Sequence, residues 1–460
     1  MGSGPVTVRE VPAGWGPTYE EMLHPEKQPA VFRRHAQGAP ELAPVQLFNI
    51  TWRHPKGGIR HVVLPPELTG VKANILVMTA CDFPSGSHKV GPAYATLMEG
   101  ELAGEIRQGE HTIIGPSTGN FGIGVAYVAK LKGYPAIVIM PEKMSRERYE
   151  RIRRYGAQLD LTPGSESDVI LVLERTEFYK KDPKYKVLAQ FELLPNYRFH
   201  RYVTGQSALE MAQGYGNRRV AAFVSAPGSA GTLAAGDEIK AQFPDVAICA
   251  LEPHECSTLF NNGRGTHRIE GIGDKMVTLI HNVLTTDYVQ LIHDDDCVAG
   301  LDLVQQRAPQ VERKLRLAPG ALSQFAGLFG ISSICNILGS IRLARHLELG
   351  ADDNVVTIAT DGFDRYPSVL ADLEQRRPAK SDAEIDCRFE QIWRGGEASD
   401  TLDVRPREQK ERLFRYKEET WTKFNYSRAY LDGMKQPSFW EAEYAKIAEC
   451  DEELTKRRSG

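Results

Sequence analysis

The stretch Val220-Ala221-Ala222-Phe223-Val224-Ser225-Ala226-Pro227-Gly228-Ser229-Ala230-Gly231-Thr232 runs from a short apolar segment through a glycine-bearing turn into the helix-like segment 233–240. An apolar run of that length bounded by Pro and Gly reads as a buried strand, and the residues after the turn as a crossover helix. The same order recurs upstream. Residues 112–114 lead into Gly115-Pro116-Ser117-Thr118-Gly119-Asn120-Phe121-Gly122, and residues 75–78 lead into Phe83-Pro84-Ser85-Gly86-Ser87-His88-Lys89. Further strands are expected at 136–140, 246–251 and 355–358, and helices at 94–105, 123–132, 144–155, 204–213 and 331–347. Strands alternating with helices define an α/β fold with open, mostly parallel sheets flanked by helices. In such sheets ligands collect at the carboxyl ends of the strands, where all three turns lie.

Outward from these turns, the 460 residues divide into three parts. Residues 1–70, rich in Pro and Gly, are expected as irregular structure packed on the core. Residues 71–370 carry the strand–helix alternation, with a smaller subdomain around 115–205. Residues 371–460 carry charge runs and many large aromatics, among them Trp393, Trp421, Phe424 and Trp440. That composition predicts an aromatic-rich helical extension rather than disorder. Its rings are expected to bury against a neighbouring subunit or to cover the site entrance.

Lys plus Arg total 56 against 60 for Asp plus Glu, so no basic field exists to hold nucleic acid or anionic lipid. The longest apolar runs are too short to span a bilayer, and the first thirty residues have no apolar signal core, so the expected compartment is the cytoplasm. Seven cysteines without a CxxC pair predict neither a disulfide framework nor a zinc site. His293-Asp294-Asp295-Asp296 is expected as a solvated acidic loop, and no metal site is expected. The arginines at 146, 148, 151, 153 and 154 are expected to form a solvated helix face with Glu147 and Glu150.

The two glycine loops, 115–122 and 225–232, each follow a strand and open a helix, which leaves backbone N–H groups aimed at an anion. Neither fits a Walker loop or a GxGxxG turn. A lysine turn beside two anion cradles suggests a cofactor with both a phosphate and a carbonyl that an amine can capture, and pyridoxal phosphate is the natural candidate.

The ordered set of segments resembles the fold type II pyridoxal-phosphate enzymes, specifically the cysteine synthase and cystathionine β-synthase branch. Besides the three turns, the resemblance includes 140–145, Tyr155-Gly156-Ala157, 161–164, Gln190-Phe191 with Asn196 and His200, Glu252-Pro253, 270–274, 330–333 and Asp364-Arg365-Tyr366. It implies that Lys89 forms the Schiff base and that Gly228, Ser229, Ala230, Gly231 and Thr232 bind the cofactor phosphate. It implies that Asn120 bonds the pyridine hydroxyl, and that Ser117, Thr118, Gly119 and Asn120, helped by Gln190, hold the substrate carboxylate.

Three departures stand out. Ser87-His88-Lys89 is closer to the tryptophan synthase β subunit, which makes His88 a candidate cofactor contact. Phe121 replaces a threonine and sets a ring near the amino-acid pocket. The family's Asp-Ser before Arg-Tyr is here Asp361-Gly362, leaving Thr360 or Asp361 to face the pyridine nitrogen. The implied activity is β-elimination or β-replacement on a β-substituted L-amino acid of the cysteine or O-acetylserine type, through an aminoacrylate, in a homodimer. The alternatives are serine or threonine dehydration, or a catalytically silent cofactor-binding partner protein.

Overall fold

The computed structural model describes residues 15–117, 119–165, 168–378 and 381–459. Eleven strands among them form two sheets. They are β1 (His61–Leu64), β2 (Asn74–Thr79), β3 (Thr112–Pro116), β4 (Ala136–Pro141), β5 (Gln158–Thr162) and β6 (Tyr185–Val187), then β7 (Ala222–Ser225), β8 (Ala247–Pro253), β9 (Tyr288–Ile292), β10 (Asn354–Ala359) and β11 (Thr401–Asp403). The larger sheet has the order β1-β2-β10-β7-β8-β9-β11 and the smaller one β5-β4-β3-β6. The smaller sheet is wholly parallel. In the larger one only the edge strands β1 and β11 run antiparallel.

The apolar runs without alternation are the inner strands. Every residue of β7 and β10 is buried, as expected where helices cover both faces of a parallel sheet. The helix Ile331–His346 lies against the larger sheet with residues 331–344 all buried. Its Asn336 places an amide in that interior and satisfies it at both ends. Nδ2 donates to the Ile358 carbonyl at 2.8 Å and Oδ1 accepts from Ala226 N–H at 2.8 Å, tying the turn after β7 to β10.

The N-terminal segment is more regular than its composition suggests. It contributes β1, and the helix Tyr19–Leu23 begins with a capping box between Thr18 and Glu21. The C-terminal helix Pro437–Ser459 reaches that start: Asp451 accepts the Tyr19 and Glu20 N–H groups at 2.7 and 2.8 Å, and Arg458 pairs with Glu21 at 2.7 Å. The extension is helical and aromatic-rich, but its rings do not wait for a neighbour. Trp421 and Trp440 are buried in the core of their own chain, and Phe424 packs against the same cluster. A long helical segment with many rings buries most area against the nearest apolar surface, which here is its own body.

Candidate active site

Five segments reach one place because each follows the carboxyl end of a strand. Lys89 follows β2, Ser117, Gly119 and Asn120 follow β3, Gln190 follows β6, Ala226–Thr232 follows β7, and Thr360–Asp361 follows β10. Lys89 caps the helix Val90–Leu102 and is partly exposed. Its Nζ lies 3.1 Å from Ser229 Oγ and 3.4 Å from Gln190 Oε1. One cationic side chain therefore bridges the β7 turn and the segment that Gln190 holds against β3 through the Pro116 carbonyl, 3.5 Å from Nε2.

The β7 turn is shaped as a cradle. Ala230 sits at φ 65°, a left-handed conformation that costs a non-glycine residue free energy and marks a loop held by its surroundings. At Gly231 a Cβ would stand 2.3 Å from Asn196 Oδ1 and 2.8 Å from His200 Cδ2, so only glycine lets the loop approach the helix beneath it. Asn196 is wholly buried and donates through Nδ2 to the Gln190 carbonyl at 2.9 Å and to Ser229 Oγ at 3.0 Å. With Lys89 and Asn196 both donating to it, the Ser229 hydroxyl keeps its own proton for an acceptor. Ser225 and Thr232 pair across the turn at 2.7 Å.

His88 is buried, with Nε2 3.4 Å from Thr360 Oγ1 and Nδ1 without a hydrogen-bond partner. Its ring stands edge-on to His200 at 4.9 Å and 5.9 Å from Trp52. His200 Nδ1 and Trp52 Nε1 meet at Thr204 Oγ1, each at 2.9 Å. Burial pushes both histidines well below the ordinary imidazole range, so they are neutral.

Asn120 opens the helix Asn120–Leu131 with both ends of its amide engaged: Nδ2 donates to Asp361 Oδ2 at 2.6 Å, and Oδ1 accepts from Arg365 Nε at 2.8 Å. One amide hydrogen remains to donate. Asp361 is fully buried, accepts a second bond from the Tyr366 hydroxyl at 2.9 Å, and lies 3.6 Å from Arg148 and 3.8 Å from Arg365. Both bonds fall on Oδ2, and its buried Oδ1 has no hydrogen-bond partner, while Thr360 is partly exposed beside His88. Ser117 is buried and accepts the Gly119 N–H at 2.9 Å. Thr118 lies outside the described residues. Phe121 is buried in the main hydrophobic core.

The arginine helix keeps its expected solvated face at Arg153, Arg154 and Arg146, which pairs with Glu150, but not at Arg148 and Arg151. Arg148 is wholly buried, ion-paired with Glu270, and within 3.1 Å of the Tyr366 hydroxyl. Arg151 pairs with Asp364 and donates to the Ser85 carbonyl. Helix Arg146–Arg154 thereby latches the smaller sheet's subdomain onto the larger sheet beside the Asn120 loop. The acidic run at 294–296 is absorbed by Arg268, Arg342 and Arg377.

Asp274 carries no local sequence signal beyond its place in 270–274, yet it belongs here. It is buried, its Oδ2 has no hydrogen-bond partner, and burial pushes its carboxyl up to about 7 while the Lys89 charge pulls it down. Gly273 N–H holds it over the β7 turn by donating to the Pro227 carbonyl at 3.1 Å.

These residues fit pyridoxal phosphate. The Ser229 proton and the backbone N–H groups of the β7 turn are donors for a phosphate, and Lys89 stands one hydrogen bond away. Buried His88 Nδ1 and Asp274 Oδ2 are polar atoms that await a partner.

Comparison with known proteins agrees. Residues 65–361 match the family described as pyridoxal-phosphate dependent enzyme. A cysteine synthase of Staphylococcus aureus is 33% identical over 313 residues, 68% of this chain and 93% of that protein. The crystal structure of a hydrogen sulfide-producing enzyme from Fusobacterium nucleatum superposes with a TM-score of 0.57 at 25% identity, covering 66% of this chain and 95% of the other. That of a cysteine synthase from Entamoeba histolytica gives 0.60 at 25% identity, covering 74% and 94%.

Proposed function

This chain belongs to the pyridoxal-phosphate dependent enzyme family, in its cysteine synthase branch, and from that premise we propose that it replaces the β-substituent of an L-amino acid of the O-acetylserine type. The observation that carries the reading is the position of Lys89 Nζ, 3.1 Å from the Ser229 hydroxyl of one anion cradle and 3.4 Å from Gln190 beside the other. When bound, pyridoxal phosphate supplies the electron sink that stabilises charge developing at the substrate α-carbon.

The chain's own residues supply the rest. Lys89 would hold the cofactor carbonyl carbon, Gly228, Ser229, Ala230, Gly231 and Thr232 its phosphate, Asn120 its ring hydroxyl and Thr360 its ring nitrogen. A neutral hydroxyl at that nitrogen is favoured over Asp361, whose Oδ2 accepts from Asn120 and Tyr366 and faces Arg148 and Arg365. His88 packs beside Thr360 as a neutral ring. Ser117, Thr118, Gly119 and Gln190 grip the substrate carboxylate at the start of a helix, where backbone N–H groups favour an anion. The Lys89 amine would take the substrate α-proton. Asp274, a carboxyl poised near neutral pH beside Lys89, takes the proton of the incoming nucleophile. Phe121 acts on the pocket through the packing of its ring in the core.

Elimination without replacement is the second reading, and the likeness to a hydrogen sulfide-producing enzyme favours it. Incubation with O-acetyl-L-serine plus sulfide, and separately with L-cysteine or L-serine, distinguishes them by product: cysteine in the first case, a keto acid and ammonia in the second. Lys89→Ala should lower turnover at least about 100-fold with every donor; a variant that keeps its activity overturns the assignment. The same reading makes the protein a cytoplasmic homodimer. Seven unpaired cysteines suit a reducing compartment, and sedimentation of the full chain tests the dimer.

A further inference from the structure

Between β8 and β9 the chain runs without regular secondary structure through residues 273–286, yet Met276, Val277, Thr278, Leu279, Ile280, His281 and Val283 are all buried. A buried irregular segment must find partners for its backbone carbonyls outside any ladder. Five of these carbonyls find theirs on one helix of the C-terminal extension, Arg407–Trp421. Trp421 Nε1 donates to the Val277 carbonyl at 2.8 Å, Lys417 Nζ to the Leu279 carbonyl at 2.9 Å and to that of His281, and Lys410 Nζ to those of Thr286 and Val283. Lys410, Lys417 and Trp421 fall seven and four residues apart, the spacing of one helix face. Lys417 is wholly buried, its ammonium also lying over the rings of Phe414 and Trp440.

The other side of the segment touches the site. Thr278 Oγ1 donates to the Ser229 carbonyl at 2.9 Å, and Leu279 N–H donates to the Phe191 carbonyl at 3.0 Å, one residue from Gln190. The segment is thus one layer thick between the extension and the two groups that flank Lys89. The family match ends at residue 361, so this helix lies outside it.

We infer that helix Arg407–Trp421 is a splint for the cofactor-phosphate cradle, in which Lys417 and Trp421 fix residues 277–281, and Thr278 passes that constraint to Ser229. Lys417 is a positioning residue: it acts on Ser229 through Thr278. The inference rests on the assignment of the β7 turn to the cofactor phosphate.

The test compares binding of pyridoxal 5′-phosphate and of pyridoxal, which lacks the phosphate, to the full-length apoprotein. The variants are Lys417→Met, Thr278→Val and the double. Each single variant should weaken pyridoxal 5′-phosphate at least about tenfold while leaving pyridoxal within twofold. The double should be no worse than about the weaker single, because both act on one connection. Trp421→Phe, which removes the indole N–H and keeps most of the ring, replaces Lys417→Met in the cycle if the latter does not fold. Equal weakening of both ligands, independent effects that multiply, or affinities unchanged from the parent would overturn the splint. A parent protein that binds pyridoxal 5′-phosphate no better than pyridoxal would instead overturn the assignment of the cradle.

Discussion

Gly231→Ala puts the cradle to a quantitative test. The substitution adds one methyl group at a backbone conformation that alanine accepts, so its whole effect comes from what that methyl meets. It meets Asn196 Oδ1 at 2.3 Å and His200 Cδ2 at 2.8 Å, side chains that are both fully buried. Neither is a flexible surface group. Asn196 is held by bonds to the Gln190 carbonyl and Ser229 Oγ, and His200 by Thr204. Overpacking a rigid interior by one methyl costs roughly 1–3 kcal/mol. Displacing Asn196 loses two hydrogen bonds at about 1 kcal/mol each. The expected destabilisation is about 4 kcal/mol, a fall in thermal midpoint on the order of 5 °C for a chain of this size. Because Asn196 positions Ser229, cofactor affinity should fall with it. Gly433→Ala is the control, since nothing lies within 4 Å of its Cβ and it ends the helix Arg428–Gly433. There the midpoint should hold or rise slightly. Differential scanning calorimetry with and without cofactor reads both. A Gly231→Ala midpoint and affinity matching the parent would refute the packing argument for the cradle.

Other consequences follow from single residues. Asp274→Asn should flatten the pH profile of the replacement half-reaction: the parent rate rises with pH through about 7 as the carboxyl ionises, and stopped-flow rates from pH 6 to 8.5 read the difference. Burial lowers the Lys417 ammonium to about 7, below its unfolded value, so between about pH 7 and 10 the unfolded chain binds a proton that the native chain does not. Native stability of the apoprotein should therefore rise with pH across that window relative to Lys417→Met, measured by urea midpoints. Arg148→Met leaves the Glu270 carboxylate without its buried partner and should destabilise by about 3 kcal/mol, seen in the same measurement.

Much of this was legible in the sequence because the signals are local. Lys89, the Asn120 loop and the β7 turn each sit where an apolar run yields to small residues and then to a helix, so fold class and site follow from one repeated pattern. What escaped depends on distance along the chain. Trp52 reaches Thr204, His200 and His88 only after folding, across 152 residues for its own bond. Asp274 looks like any polar loop residue until neighbouring segments bury it. β1 and β11 are edge strands of four and three residues, too short and too mixed in polarity to carry a period. The aromatic extension was recognisable as helical from composition, but composition cannot say which surface the rings meet. Its own chain supplies that surface. The arginines at 148 and 151 read as solvated for the same reason: their partners Glu270, Tyr366 and Asp364 lie more than a hundred residues away.

The central claim is that Lys89 carries pyridoxal phosphate between the two anion cradles. The most direct measurement is reduction of the cofactor-loaded protein with borohydride, followed by proteolysis and mass mapping of the attached pyridoxyl group. A single labelled lysine, Lys89, is expected, with label and visible absorbance both lost in Lys89→Ala. Label on another lysine, or no covalent label in a protein that turns over, would contradict it.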